Sequence, residues 1–356
     1  MFVRGAIADE KVFSHGWGMK STRKARIIDV ARDAGVSAAT VSRALSQPQL
    51  LNAETLARVR QSALRLGYRP DAAARALASG RSMTIGAVVP TLDNAIFSRA
   101  LQSMQAVLAG RGYQLLVASH DYNAAAEAEA VKMLVGRGVD GLMLVGAERA
   151  PETEALLADT EVPVVLTWRG IPGHAAVVVD NERAGELAAK HLVELGHRRI
   201  GIITGSHAFN DRQRARQDGA RAFLAAEGLA VPDWLAIQVP TTLAGGRSGC
   251  ASLLGLGEPP TAIIGGIDLI AIGCMIEAQA RGLTVPDDLS VVGIDDLDMS
   301  AHLSPPLTTV HVPTARIGAT CAAMLCDLIE EKDIDAEVQI PVDLVVRRST
   351  GLRAVT

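Results

Sequence analysis

The spacing of apolar and polar positions changes character once along this chain. From Arg26 to Leu66 it is helical. Ile28, Val30, Ala31 and Ala34 form one apolar stripe, and Gly35 is suited to the left-handed conformation that ends a helix. Ser37 stands where an N-cap belongs. Val41 and Leu45, four apart, turn a second helix inward and leave Ala38, Ala39, Ser42 and Arg43 facing out. After the Gln47-Pro48-Gln49 loop, Asn52 caps a third helix, 53–66, with Leu56, Val59, Ala63 and Leu66 on its apolar side and Gly67 at its end. A three-helix head of roughly forty residues is near the lower limit for independent folding. Tyr68-Arg69-Pro70 is extended. Asp71 then starts an Ala-rich turn or two, 71–78, too short to be a stable helix alone in water. A linker follows.

From Thr84 onward, apolar runs alternate with amphipathic stretches. Strands are predicted at 85–89, 113–119, 141–145, 162–167, 199–204, 262–266, 290–294 and near 342–347. Helices are predicted at 95–110, 124–138, 183–196, 211–227, 270–281 and 315–330. This rhythm implies parallel sheet covered on both faces. The strands are too many for one small sheet. Two doubly wound lobes fit the count, with a ligand in the cleft at the carboxyl ends of the strands.

Composition sharpens the division. The chain has 356 residues, 49% of them hydrophobic but only 3% aromatic, so its cores are built from Ala, Val, Leu and Ile. The net charge of −4 hides a split. Residues 23–81 carry eleven Lys/Arg against four Asp/Glu, while residues 82–356 carry 21 against 33. A small basic head on an acidic body is the charge pattern of a nucleic-acid-binding module joined to something else. No run has the length and apolarity of a transmembrane helix. The first 22 residues lack the apolar core of a signal peptide and read as an arm (1–24), or as an over-extended start with Met19 as the true beginning. Cys250, Cys274, Cys321 and Cys326 have neither metal nor disulfide-framework spacing, and the expectation is free thiols in a reducing cytoplasm.

Enzymatic motifs are missing. Gly136 to Gly141 fits GxGxxG but leads from helix to strand, the reverse of a dinucleotide fingerprint. No nucleophile elbow, HExxH or Walker loop occurs. His191 and His197 are expected to be solvated or capping, and Asp295-Asp296-x-Asp298 to be a structural turn, not a metal cluster. Neither cofactor nor metal is expected. A secreted sugar-binding protein would share the body but not the head.

Several motifs together resemble the lactose-repressor/galactose-repressor family of bacterial transcription regulators. They are Val36-Ser37-x-x-Thr40-Val41-Ser42-Arg43, Leu66-Gly67-Tyr68-Arg69-Pro70, Ala74-Arg75-x-Leu77, Leu195-Gly196-His197-Arg198-Arg199-Ile200, Gly293-Ile294-Asp295-Asp296 and Pro306-Leu307-Thr308-Thr309-Val310. The resemblance runs from about Arg26 to Gly351 and implies an all-α helix-turn-helix head (25–69), a hinge helix and linker (70–83) and a periplasmic-binding-protein-like α/β body (84–356). The first lobe would be about 84–180 and 312–340, the second about 181–311 and 341–356. It further implies a cytoplasmic, nucleoid-associated homodimer on a pseudo-palindromic double-stranded operator, a repressor in sense though activation or corepression fits the same pattern, switched by a small sugar or sugar acid.

By the same resemblance, Ala38 and Ala39 occupy base-choosing positions where they meet only thymine methyls, leaving Arg43 to contact guanine. Ser37, Thr40, Ser42 and Asn52 would hold phosphates. Leu77 matches the hinge leucine that wedges into the minor groove. Arg216 and Asp268 match effector-contacting positions, with Ile267 where the family usually has Asn. Trp168, Asn210, Arg212, Asn94 and Phe97 are expected around the same cleft. Arg212 and Arg216 share a helix face, which favours an anionic group on the ligand and a place in the gluconate-repressor-like branch. The tail after the last strand lacks a heptad pattern, so a dimer is the simplest state.

Overall fold

The computed structural model describes residues 25–69, 76 and 79–353. The expected arm, the hinge leucine Leu77 with most of its segment, and residues 354–356 lie outside the described residues. The chain divides into two compact units, 1–80 and 81–356.

The first unit contains α1 (Ile27–Ala34), α2 (Ala38–Ser46) and α3 (Ala53–Arg65). Local chemistry sets their ends. Gly35 takes φ 64° and Val36 N–H returns to Ala31 O at 3.0 Å, closing α1. Ser37 Oγ accepts the Thr40 N–H at 3.1 Å and Asn52 Oδ1 that of Thr55 at 2.8 Å. Val30, Ala31, Ala34, Val41, Ala44, Val59 and Ala63 form the core. Ala44 takes the deep position and Leu45 is only half-buried. Ala38, expected on the outer face, is half-buried against the core. Ser62 is buried and donates to Val30 O and to the Asp33 carboxylate, which also pairs with Arg65. These bonds tie α3 to α1 and hold the Asp33 carboxyl below its ordinary pKa, the Ser62 bond contributing most.

The second unit opens with β1 (Thr84–Val89), α4 (Ala95–Gly110), β2 (Gln114–Ser119), α5 (Ala124–Gly136), β3 (Gly141–Val145), α6 (Pro151–Ala158), β4 (Val164–Trp168) and β5 (Ala175–Val179). It continues with α7 (Asn181–Glu194), β6 (Ile200–Gly205), α8 (Asp211–Ala226), β7 (Ala236–Val239), α9 (Leu243–Leu254), β8 (Ala262–Gly265), α10 (Asp268–Ala280), β9 (Ser290–Asp295) and β10 (Thr308–His311). It closes with α11 (Thr314–Ile329), β11 (Glu337–Ile340) and β12 (Asp343–Val345). One sheet runs β11-β5-β4-β3-β1-β2, all parallel. The other runs β12-β10-β9-β8-β6-β7, with β12 antiparallel to β10. The chain passes between the sheets three times, after β5, β10 and β11.

Several elements escape the sequence pattern. Helix α9 carries Gly245, Gly246 and Gly249, poor helix formers that serve close packing: a Cβ on Gly246 would lie 2.3 Å from Ile270 O of α10. Strands β7, β10 and β11 are too short or too mixed in polarity to stand out, whereas β5, Ala-Ala-Val-Val-Val, is an apolar run as long as β3. The four cysteines are free and buried. His191 and His197 are also buried, not solvated. His191 bonds Thr350 Oγ1 at 2.9 Å, and His197 bonds Thr261 Oγ1 at 2.9 Å and Ser290 Oγ at 3.0 Å. Burial pushes both imidazoles below their ordinary pKa, so they pack as neutral rings.

Candidate functional site

In the head, the outward surface of α2 is made of Ala39, Ser42 and Arg43, all exposed. Ser37 and Thr40 are joined at 2.9 Å between their hydroxyls at the N-terminus of α2. Ser37 and Asn52 each cap a helix through a side-chain oxygen while remaining exposed. A short helix with small residues, hydroxyls and one guanidinium outward, flanked by capped N-termini, can enter a major groove and meet phosphates on either side.

In the body, the carboxyl ends of β1, β2 and β4 face those of β6, β7 and β8 across a cleft. An outer chamber of about 630 Å³ is walled by Asp93, Asn94, Asp121 and Tyr122 from one lobe and by Ser206, Asn210, Thr241 and Thr242 from the other. It narrows to a throat of only about 10 Å³, lined by Phe97, Trp168, Asn210, Arg212, Gln213 and Arg216 among others. Non-glycine residues in left-handed backbone gather here: Asp121 (φ 47°), Tyr122 (56°), Trp168 (65°), Phe209 (55°) and Asp295 (127°). Such strain persists only where surrounding packing imposes it, and it clusters at working sites.

Most of the residues expected at the cleft are brought together. Phe97 meets Trp168 edge to face, with centroids 5.3 Å apart, and both are fully buried. Trp168 Nε1 has no hydrogen-bond partner. Asn94 caps α4 through the Ile96 N–H at 3.2 Å. Arg216 donates to Asn181 Oδ1 at 3.1 Å, Gly266 O at 2.8 Å and Asp295 Oδ1 at 3.0 Å. Burial pushes the Asp295 carboxyl up to about 7 against the opposing pull of Arg216, with the Asp268 charge adding to the rise, and Asp295 Oδ2 has no partner.

Asp268 is not brought to the cleft. It is completely buried, and its carboxylate accepts the Leu297 N–H at 2.8 Å and the hydroxyls of Ser300 and Thr309. These bonds pin the end of β9 to β10. Burial raises its pKa while the three bonds oppose the rise. The expected turn at Asp295-Asp296 is likewise two things. Asp296 anchors Arg347 at 2.7 Å and His311 at 3.0 Å, whereas Asp295 pairs with Arg216, which lines the throat.

The anionic-ligand expectation loses its basis. Arg212 and Arg216 do share a buried face and Arg214 turns away to Glu148, but both inward guanidiniums are already paired, Arg212 with Asp211 at 3.0 Å and Arg216 with Asp295. Spacing showed two cations and could not show their counter-ions. Sequence reading also missed Asp93, Asp121, Tyr122, Gln213, Asn181 and Thr241. Their shared signal is position: each lies just beyond a strand's carboxyl end or at the start of the following helix.

A capped helix-turn-helix unit and a two-sheet body with a cleft at its strand ends define a ligand-responsive DNA-binding regulator. Residues 26–71 match the family model of bacterial regulatory proteins, lacI family, and residues 189–350 that of the periplasmic binding protein-like domain. Catabolite control protein A of Priestia megaterium is 32% identical over 330 residues, covering 91% of this chain and 98% of that protein. The structure of the Lac repressor dimer bound to operator and the anti-inducer ONPF superposes with a TM-score of 0.83 at 27% identity, over 92% of this chain and 100% of that one. The complex of the transcriptional regulator CelR with cellobiose gives 0.68 at 28% identity, over 91% and 99%. The chain belongs to the lacI family of bacterial regulatory proteins and is a DNA-binding transcriptional regulator.

Proposed function

We propose that this protein is a homodimeric repressor of the cytoplasm and nucleoid, without catalytic activity, that binds a pseudo-palindromic operator and is switched by a small carbohydrate-type ligand in the interlobe cleft. The observation that carries the reading is the cleft itself: residues from both lobes wall one chamber of about 630 Å³, so a ligand there senses the angle between the lobes. The exposed Ala39, Ser42 and Arg43 of α2 support groove insertion. The similarity to an operator-bound dimer and to a cellobiose complex supports partner and ligand class. Among the described residues no helix is long and apolar enough to cross a membrane.

In this reading Arg43 contacts guanine, Ala39 and Ala38 meet methyl groups, and Ser37, Thr40, Ser42 and Asn52 bond phosphates. Leu77, outside the described residues, is the candidate wedge into the minor groove at the operator centre. The test is selection of operator sequences from random duplexes, followed by binding isotherms at several salt concentrations with and without a sugar panel. Palindromic selected sites are expected, with affinity falling by about 0.9 log units per log unit of salt for each phosphate neutralised. Non-palindromic selection with salt-insensitive binding overturns the reading.

A further inference from the structure

The chain enters the body through residues 81–83, and these residues are not a free tether. The boundary between the two compact units falls just before Arg81. Connecting segments are ordinarily solvated and mobile. Here all four backbone polar groups of Ser82 and Met83 have partners inside the body. The Asp140 carboxylate accepts the Ser82 N–H at 2.8 Å, the Ser82 hydroxyl at 2.9 Å and the Met83 N–H at 2.9 Å. Ser82 O accepts the Thr84 hydroxyl at 3.3 Å, and Met83 O accepts the Gln114 N–H at 2.9 Å. Asp140 closes the ring by donating its own N–H to Thr84 O at 2.7 Å. Arg81 is held from a different element, donating to Ile329 O at the end of α11 at 2.8 Å.

A second observation marks the same point. Met83 takes φ 56°, a left-handed conformation that a non-glycine residue keeps only where its surroundings impose it. The carboxylate that imposes it stands on a fixed base. Val139 is buried, and a Cβ on Gly141, the first residue of β3, would lie 3.2 Å from both Ile85 Cδ1 and Leu325 Cδ2. Ser82 is only half-buried and Met83 is exposed, so these bonds hold the joint more than they fill the core.

We propose that Asp140 is a positioning residue for operator binding: it fixes the point and direction at which the tether to the DNA-binding unit leaves the body, and so sets how strictly the dimer holds to one half-site spacing. Two heads on one palindrome bind as a tethered pair. Their joint affinity depends on the effective concentration of the second head at its half-site. A joint free to rotate lowers that concentration at the correct spacing and not at the wrong ones. The proposal rests on a dimer reading a palindrome, which the wild-type isotherms test separately.

The experiment measures binding of the full-length protein to the best palindromic duplex recovered by selection. The same duplex with one base pair inserted or removed at its centre is measured alongside. Asp140→Ala should bind the best duplex about tenfold more weakly and lose about tenfold of its preference over the altered spacings. Ser82→Ala, which loses one of the three bonds, should move both quantities about two- to threefold in the same direction. Asp140→Asn, which keeps one acceptor oxygen, should fall between them. Urea midpoints of Ser82→Ala and Asp140→Asn should match the wild type, so a folding defect confined to Asp140→Ala does not decide the outcome. Unchanged binding, or a loss by the same factor at every spacing, overturns the proposal and leaves Asp140 as a cap on the start of β1. A wild-type protein that selects no palindrome or accepts every spacing overturns the dimer reading, and the proposal falls with it.

Discussion

Arg216 and Asp295, separated by 79 positions in sequence, form an ion pair 3.0 Å long whose side chains are 2% and 1% exposed. The pair joins the middle of α8 to the last residue of β9. It converts what looks from sequence like a free cation in a ligand cleft into half of a neutral unit. What remains for a ligand is the unpartnered second oxygen of Asp295.

The two ends of this pair respond differently to removal. In Arg216→Met, Asp295 escapes burial as an anion by taking up a proton, since its pKa is already about 7. In Asp295→Asn, Arg216 keeps its bonds to Asn181 and Gly266 but loses its buried counter-ion. Chemical denaturation at pH 8, above the pKa of Asp295, should show a loss of about 1–3 kcal/mol for Arg216→Met and about 3–5 kcal/mol for Asp295→Asn. Equal losses would contradict the assignment.

Asp295 also predicts a pH dependence. Its folded pKa of about 7 exceeds the ordinary 3.8, so between these values the folded chain holds a proton that the unfolded chain has released. Its contribution to stability therefore falls as pH rises through this window and is fully lost above about 7. A ligand hydroxyl that donates to Asp295 Oδ2 favours the ionised form. Ligand affinity should rise toward pH 7, by at most about tenfold per unit, and level off above it. Calorimetry at pH 5.5, 6.5 and 7.5 reads this slope, and a falling affinity would contradict it.

The lobes are bridged beside the cleft by Asp211, which accepts the Ala147 N–H at 2.7 Å, and by the Arg214–Glu148 pair. The latter is about 40% exposed and contributes under about 1 kcal/mol to stability. Glu148→Gln should leave the thermal midpoint nearly unchanged while weakening ligand binding a few-fold, because the pair exists only when the lobes meet. A shift of many degrees in the melting curve would mean that Glu148 supports the fold itself.

Gly293 gives Asp268 its place. A Cβ there would lie 2.3 Å from Asp268 Oδ1 and 3.0 Å from Leu307 Cδ2, both in packed surroundings. Gly293→Ala should cost about 1–3 kcal/mol through displacement of the carboxylate that pins β9 to β10. Urea titration followed by circular dichroism measures it.

On the DNA side, Arg43→Ala should cost about 1–3 kcal/mol on the selected operator and relax preference at one symmetric pair of positions. Ser37→Ala should instead destabilise the head by about 1 kcal/mol through loss of the cap on Thr40 N–H. Competition binding against single-base operator variants distinguishes the two: Arg43 changes the ranking of sites and Ser37 scales them together.

The three head helices were legible because their signals are local. Gly35, Ser37 and Asn52 act within four residues of themselves, and apolar spacing names the buried face. The body's rhythm of strand and helix was legible for the same reason. Helix α9 was not, because Gly246 is explained by the backbone of α10, and Gly245 and Gly249 by Pro240 O and the side chains of Ile203 and Val239. Trp168 and Arg216 were found as cleft residues, but Asp268 was misplaced because an aspartate at a helix start reads the same whether it faces a ligand or three internal donors.

Sequence alone determined the helix-turn-helix head, the basic-to-acidic division and the alternating body, since these depend on periodicity, capping and charge along the chain. Only the tertiary structure decided which charges are already spent. Arg212 pairs with Asp211 and Arg216 with Asp295, whereas among the described residues Asp93 and Asp121 form no ion pair. Electrostatic pairing acts through distances of a few ångströms in space, and spacing along the chain carries no record of which distant side chain arrives there.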